Sequence, residues 1–458
     1  MADDRQNPDA AGWDNVLPYA DQALFLAMRG ARQEAVMQVI WIYEHPLDME
    51  GIRRFHDDYG HGLMARRIER SPLPFGRHRW VAAPGAQADL DISRCPRPRD
   101  ELYEWADEQI ELPLDPEWGP GWRLGVQPLT DGSTAVGLVV SHCLADGAAL
   151  VISLADAVSG TIRDLGYPPP RSRARRRAVY ADLRQVVRDL PEVARTVAKA
   201  AKVAGRRRHD LTRPTTTAPN VVGLCQTTVA LPSASAIVDI DQWDLRAEKL
   251  GGNSFSLVCG FAARVARSLG RTRCADGAVT LLIPVSERED LADARGNVVS
   301  IATVRVDPES VNADLTDART AIREGIRVAR ETPDEMIELL PLISFVPKRA
   351  FGRMADMAFG FTADLPVSVS NMGDLPSEII GADGTAAEYA CFRGVDRQVP
   401  LESLERRRGV VSVISGRIAG KIILTVVGYQ PGVENTRANL RSLLSQALSD
   451  FELTGVIL

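Results

Sequence analysis

The stretch Ser133-Thr-Ala-Val-Gly-Leu-Val-Val-Ser-His142-Cys-Leu-Ala-Asp146-Gly147-Ala-Ala-Leu150 constrains the fold more than any other part of the chain. Val136, Leu138, Val139 and Val140 form a short apolar, mostly β-branched run that predicts a buried strand. The run stops at His142. Asp146 and Gly147 follow, and residues 148–158 predict a helix. A histidine is thereby set at a strand end, on a tight turn into a helix, where a rigid scaffold can present a side chain to a cleft. Its ordinary pKa suits proton transfer near neutrality. His-x-x-x-Asp-Gly is a short pattern, and a lone histidine at a strand end is more often structural. The strand–turn–helix context raises it above a chance match. Gly147 allows either a positive φ or a close backbone approach. Cys143 adjoins His142, but neighbours on extended chain point to opposite faces, which argues against a thiol nucleophile beside the histidine.

The other elements follow in order. Residues 1–15 are polar and acidic and read as a loose tail with no signal peptide. Asp21 is placed to cap a short helix carrying Leu24 and Phe25. A strand is predicted over 36–43, and helices over 49–59 and 101–111. His45, His56, His61 and His78 read as solvated turn or helix-surface residues. Beyond the linker, a strand is predicted over 222–231, a helix over 232–250, an apolar helix over 257–269, strands over 279–285 and 301–306, a hairpin over 414–427 and a closing helix over 435–453.

Charge is uneven. The chain carries −6 overall, which gives no reason to expect nucleic-acid binding. Residues 171–208, however, hold 13 Lys and Arg against 3 Asp and Glu, a local +10 that leaves −16 elsewhere. Val179, Leu183, Val186, Val187, Leu190, Val193 and Val197 recur there at helical spacing, with Pro191 expected to kink or restart the helix. The segment reads either as a solvated connector or as a basic amphipathic helix attracted to anionic lipid or to an acidic carrier protein. The six cysteines, at 95, 143, 225, 259, 274 and 391, show no Cys-x-x-Cys pair and read as buried apolar residues in a reducing cytoplasm. No His-Glu-x-x-His, P-loop or Gly-x-Ser-x-Gly elbow is present, and no uncharged apolar run reaches membrane-spanning length.

The His142 motif resembles the active-site pattern of the condensation-type, coenzyme-A-dependent acyltransferase superfamily. Chloramphenicol acetyltransferase, peptide-synthetase condensation domains and bacterial wax ester synthase/diacylglycerol acyltransferases belong to it. Many members carry His-His-x-x-x-Asp-Gly; here Ser141 replaces the first histidine. Two further stretches carry the likeness: Pro284-Val-Ser-Glu-Arg288 with Gly296-Asn-Val-Val-Ser300, and Leu365-Pro-Val-Ser-Val-Ser370-Asn371. The resemblance runs from Leu17 to about Phe451. One departure stands out: the Asn-Asp pair usual in wax ester synthase-like enzymes is replaced by Phe255-Ser256.

The resemblance implies an α/β (α+β) chain of two chloramphenicol-acetyltransferase-like sandwich halves, a pseudo-dimer with an interdomain tunnel. Its divisions are a flexible tail (1–15), a first half (16–165), a basic linker (166–220) and a second half (221–458). It implies an O-acyltransferase in which His142 is the general base. Asp146 would fix the turn and pair with Arg288. Ser141, Ser370 and Asn371 are candidate oxyanion or substrate contacts. No cofactor is permanently bound; acyl-CoA or a phosphopantetheinyl carrier is the co-substrate, and an alcohol or amine the acceptor. The expected setting is cytoplasmic; the charge of residues 171–208, rather than the resemblance, makes them a candidate contact for an acyl carrier protein or an anionic membrane surface. Amide or ester formation as a free-standing condensation domain, and a non-catalytic carrier-binding role, are the alternatives.

Overall fold

The computed structural model describes residues 15–31, 34–207, 228–288, 293–332, 337–346 and 364–458, with the backbone alone over 201–207. The expected tail to residue 14, the linker end at 213–219, the first residues of the strand expected at 222–231, Cys225 and the Lys202 side chain lie outside the described residues.

Two sheets organise the chain. The first runs β12–β1–β6–β5–β4, with β1 Glu34–Tyr43, β4 Asp91–Ile92, β5 Trp122–Pro128, β6 Thr134–Ser141 and β12 Tyr389–Arg397. The second runs β10–β9–β11–β14–β15–β8–β16, with β8 Ser233–Asp239, β9 Val279–Ser286, β10 Val299–Val306, β11 Val367–Asp374, β14 Val410–Ile418, β15 Lys421–Tyr429 and β16 Val456–Ile457. Two small ribbons complete the strands: β2 (Arg66–Glu69) with β3 (Arg79–Ala82), and β7 (Thr228–Val229) with β13 (Val399–Pro400).

The sheets interlock through chain exchange. β12 comes from the second half yet pairs antiparallel with β1 over nine registered positions, from Glu34 opposite Arg397 to Ile42 opposite Tyr389. It closes one edge of the first sheet, which would otherwise present unpaired backbone. Trp41 donates its indole N–H to the Ile379 carbonyl (2.8 Å), and the Ala382 N–H donates to the Tyr43 hydroxyl (2.7 Å). One core joins β1, β6 and the helix Gly147–Ser159 to Leu375, Ile379 and Phe392. A second lies beneath the seven-stranded sheet, around Trp243, Phe261 and Phe451.

Several expectations are corrected. Residues 233–239 form β8, and the helix begins only at Ile240, capped by Asp239. Ser-Ala-Ser-Ala-Ile-Val alternates with period two, but both faces are buried, so no exposed polar stripe marks it as a strand. Its serines are satisfied inside: Arg393 donates to Ser233 Oγ (2.6 Å), and Ser235 Oγ pairs with Thr425 Oγ1 (2.7 Å). His56 and His78 are buried rather than solvated. His78 packs edge-on against Phe25, and its pKa is pulled down to about 4 because burial disfavours the imidazolium. Cys143, Cys259 and Cys391 are buried and free, but Cys95 and Cys274 are exposed.

The basic helix runs unbroken from Arg175 to Arg207, with Pro191 inside it rather than restarting it. Its packed seam is Ala178, Asp182 and Thr196, with Val186 and Val193 half-buried. Leu183, Val187, Leu190 and Val197, expected on a packing face, are exposed. Among the described residues no helix is long and apolar enough to cross a membrane.

Candidate active site

β6 delivers His142. Its last residue, Ser141, sits opposite Val36 of β1, and the His142 N–H donates to the Ala35 carbonyl (3.0 Å), so pairing continues past the strand end. The Leu144 N–H donates back to the Ser141 carbonyl (3.0 Å), closing the turn. The imidazole is half-buried. Its Nδ1 is buried without a hydrogen-bond partner among the described residues.

Asp146 opens the helix Gly147–Ser159 as its N-cap, accepting from the Ala149 N–H at 2.8 Å. The same carboxylate meets Arg288: Nη2 lies 3.1 Å from Oδ1 and 3.2 Å from Oδ2. The Val298 N–H donates to Oδ2 (3.0 Å). Arg288 also donates to the carbonyls of Asp293 (2.5 Å) and Arg295 (3.1 Å). The two expected partners are thus in contact, at the seam between the halves. Gly147 does not have a positive φ. A β-carbon there would lie 2.8 Å from Met372 Sδ, so close approach of β11 is what the glycine permits.

Residues 293–298 belong to the second half but grip the first. The Asp146 N–H donates to the Gly296 carbonyl (2.9 Å), and Asn297 Nδ2 donates to the His142 carbonyl (3.1 Å). Asn297 Nδ2 also donates to Asp21 Oδ1 (2.8 Å), which accepts the Asn297 N–H as well (2.8 Å); Asp21 Oδ2 accepts the Gly296 N–H (3.1 Å). Asp21 is therefore no exposed helix cap. It is a fully buried carboxylate with three donors, and burial pushes its pKa up to about 6 in spite of them. Arg66, fully buried above the Trp80 ring, donates to the carbonyls of Ala294 and Leu144.

The remaining candidates lie apart from this lock. Ser141 is fully buried, and its hydroxyl donates to Glu34 Oε1 (3.3 Å), while Glu34 Oε2 pairs with Arg397 (2.5 Å). The Ser141 hydroxyl is thus turned toward Glu34. Ser370 is half-buried and Asn371 exposed on β11; Asn371 Oδ1 accepts from Ser415 Oγ (3.2 Å) and the Gly373 N–H (3.1 Å). Met372, next to Asn371, is the residue that meets Gly147, so the β11 end borders the motif. Burial pushes the Cys143 thiol far up, which disfavours a thiolate there. Phe255-Ser256 serves helix capping: Ser256 and Asn253 form a reciprocal capping box. Among the described residues no cluster of three metal-ligating side chains occurs.

Asp21, Arg66 and Asn297 are the residues that the sequence reading left without a role at the site. Asn297 lies in the Gly296-Asn-Val-Val-Ser300 stretch, but nothing in the sequence joins Asp21 to a residue 276 positions away.

No protein-family model matches the chain, and no curated protein matches it by sequence. Solved structures do. The first condensation domain of the calcium-dependent antibiotic synthetase, in complex with a substrate analogue, superposes with a TM-score of 0.57 at 15% identity, covering 96% of each chain. The wax ester synthase/diacylglycerol acyltransferase from Marinobacter aquaeolei VT8 superposes with a TM-score of 0.52 at 16% identity, covering 95% of this chain and 98% of that one. The nonribosomal peptide synthetase FmoA3 superposes with a TM-score of 0.52 at 20% identity. That match covers 97% of this chain, which spans 42% of the synthetase chain's length. The fold is that of condensation domains and of this wax ester synthase.

Proposed function

We propose that this chain, which has the condensation-domain fold, is an acyltransferase that moves an acyl group from a thioester to an acceptor hydroxyl. The observation that carries the reading is His142: a half-buried imidazole at a strand end, its backbone fixed by Ala35 on one side and Asn297 on the other. A base must hold its position to within a hydrogen bond of the proton it takes. In the proposed step His142 Nε2 accepts the acceptor's proton as the hydroxyl oxygen attacks the thioester carbonyl. The tetrahedral intermediate collapses, the carbon–sulfur bond breaks, and the proton passes to the leaving thiolate. The Asn371 carboxamide N–H, at the β11 end bordering the motif, is the proposed oxyanion donor. Donor and acceptor reach His142 through a tunnel between the halves, the donor being acyl-CoA or a carrier-bound thioester.

The likeness to a condensation domain supports a second reading, in which the acceptor is an amine and the product an amide. Purified protein should be offered acyl-CoA and acyl-carrier donors against a panel of alcohols and amines, with products read by mass spectrometry. Ester products that depend on His142 support the first reading and amides the second. No thioester-dependent product with any pair would leave a carrier-binding role and refute catalysis.

A further inference from the structure

The long helix Arg175–Arg207 exposes what an ordinary surface helix buries. Leu183, Val187, Leu190 and Val197 are 49%, 57%, 51% and 52% exposed. Their spacing of four, three and seven residues places them in one stripe along the helix. The seam that packs on the protein is a different face, through Ala178, Asp182 and Thr196. At 100° per residue, Arg177, Arg184, Arg188 and Arg195 form a ribbon along the far side of the stripe. Among the described residues, none of these arginines pairs with a carboxylate; Arg195 donates to the Pro191 carbonyl (3.2 Å). The stripe also continues onto the body of the protein. Leu190 and Val193 line one pocket with Phe75 and Phe345, whose exposed rings stack 6.1 Å apart.

We infer that this face is a docking surface for an anionic lipid membrane. The stripe spans about 20 Å at 1.5 Å per residue, and its side chains are aliphatic or aromatic. Beside it, arginine stems can lie along the apolar boundary while their guanidinium groups reach lipid phosphates. A second copy of this chain is a poor occupant, because two arginine ribbons would be brought together. The −16 carried outside residues 171–208 repels an anionic surface, so the basic face alone can approach it, which orients the bound protein.

The test is co-sedimentation of the full chain with vesicles, using phosphatidylcholine alone and phosphatidylcholine mixed with phosphatidylglycerol in about equal parts. The unmodified protein should bind the mixed vesicles at least about tenfold more tightly, with the preference shrinking in high salt. Arg177→Gln, Arg184→Gln, Arg188→Gln and Arg195→Gln together should remove that preference. Leu183→Ser, Val187→Ser and Leu190→Ser together should weaken binding at low and high salt alike. All seven positions are exposed, and circular dichroism on heating confirms that each variant folds. Failure of the unmodified protein to bind either vesicle would overturn the inference. So would unchanged binding by both variants. Dimerisation lost in the serine variant, or capture of an acidic carrier protein in place of vesicles, would assign the face to that partner and overturn it as well.

Discussion

Removing either half of the Asp146–Arg288 pair should destabilise the protein, and removing both should cost less than the sum. Each side chain is 5% exposed, so truncating one strands a charge in a poorly hydrated site. Breaking such a pair typically costs about 3–5 kcal/mol. Arg288→Ala should fall in that range: Asp146 keeps the Ala149 and Val298 N–H groups but loses the one cation paired with it among the described residues. Asp146→Ala should cost more. It also removes a helix N-cap, worth about 1 kcal/mol, and leaves the Val298 N–H without its acceptor. Arg288 is partly compensated in that variant by the Asp293 and Arg295 carbonyls. The double mutant should show a coupling of about 2–3 kcal/mol. Asp146→Asn separates the contributions, since its side-chain oxygen can still cap the helix while the charge is gone. Urea denaturation followed by circular dichroism and tryptophan fluorescence gives the four corners of the cycle. Losses that add to within about 0.5 kcal/mol would show that the pair is not energetically coupled and refute this account of the interface.

His142→Ala should lower turnover by about 100-fold or more while leaving the unfolding midpoint nearly unchanged, because the ring nitrogens bond to no described residue; near-full turnover in a folded variant would remove His142 as the base. Asp21 makes a pH prediction. Its pKa in the fold, about 6, lies above its ordinary 3.8, so the folded state holds the extra proton between those values. The stability that Asp21 contributes is complete below about pH 4 and lost as pH rises through about 6, a swing of about 3 kcal/mol. The difference in unfolding free energy between the unmodified protein and Asp21→Asn should therefore grow as pH falls from 7 to 4, and a flat difference would be inconsistent with a raised pKa. Two glycines should rank in a fixed order. A β-carbon at Gly296 would lie 2.8 and 2.9 Å from the fixed Asp21 carboxylate oxygens, and Gly296→Ala should cost about 1–3 kcal/mol. At Gly147 it would meet the movable end of Met372, so Gly147→Ala should cost less than about 1.5 kcal/mol in the same urea assay.

The sequence by itself determined what is local. The apolar run that stops at His142 is β6, and the helix expected after Asp146 follows it, because strand and helix periodicity act within a few residues. Helix 49–59 falls at its expected bounds for the same reason, and Asp48 caps it. The Asp146–Arg288 contact came from the resemblance rather than from spacing, since the partners are 142 residues apart. Tertiary structure decided the rest. β8 was misread as a helix because its serines are buried against Arg393 and Thr425, and burial on both faces erased the polar alternation. His56 and His78 were misjudged because burial depends on what packs over them, and for His78 that includes Phe25 from a different element. The apolar positions of the basic helix were visible in the sequence, but which side meets the protein was not. A helix repeat gives the spacing of a face and cannot say whether anything covers it. Only the folded chain brings Asp21, Arg66 and Asn297 around the His142 turn, because each of those hydrogen bonds spans far more sequence than any local pattern can encode.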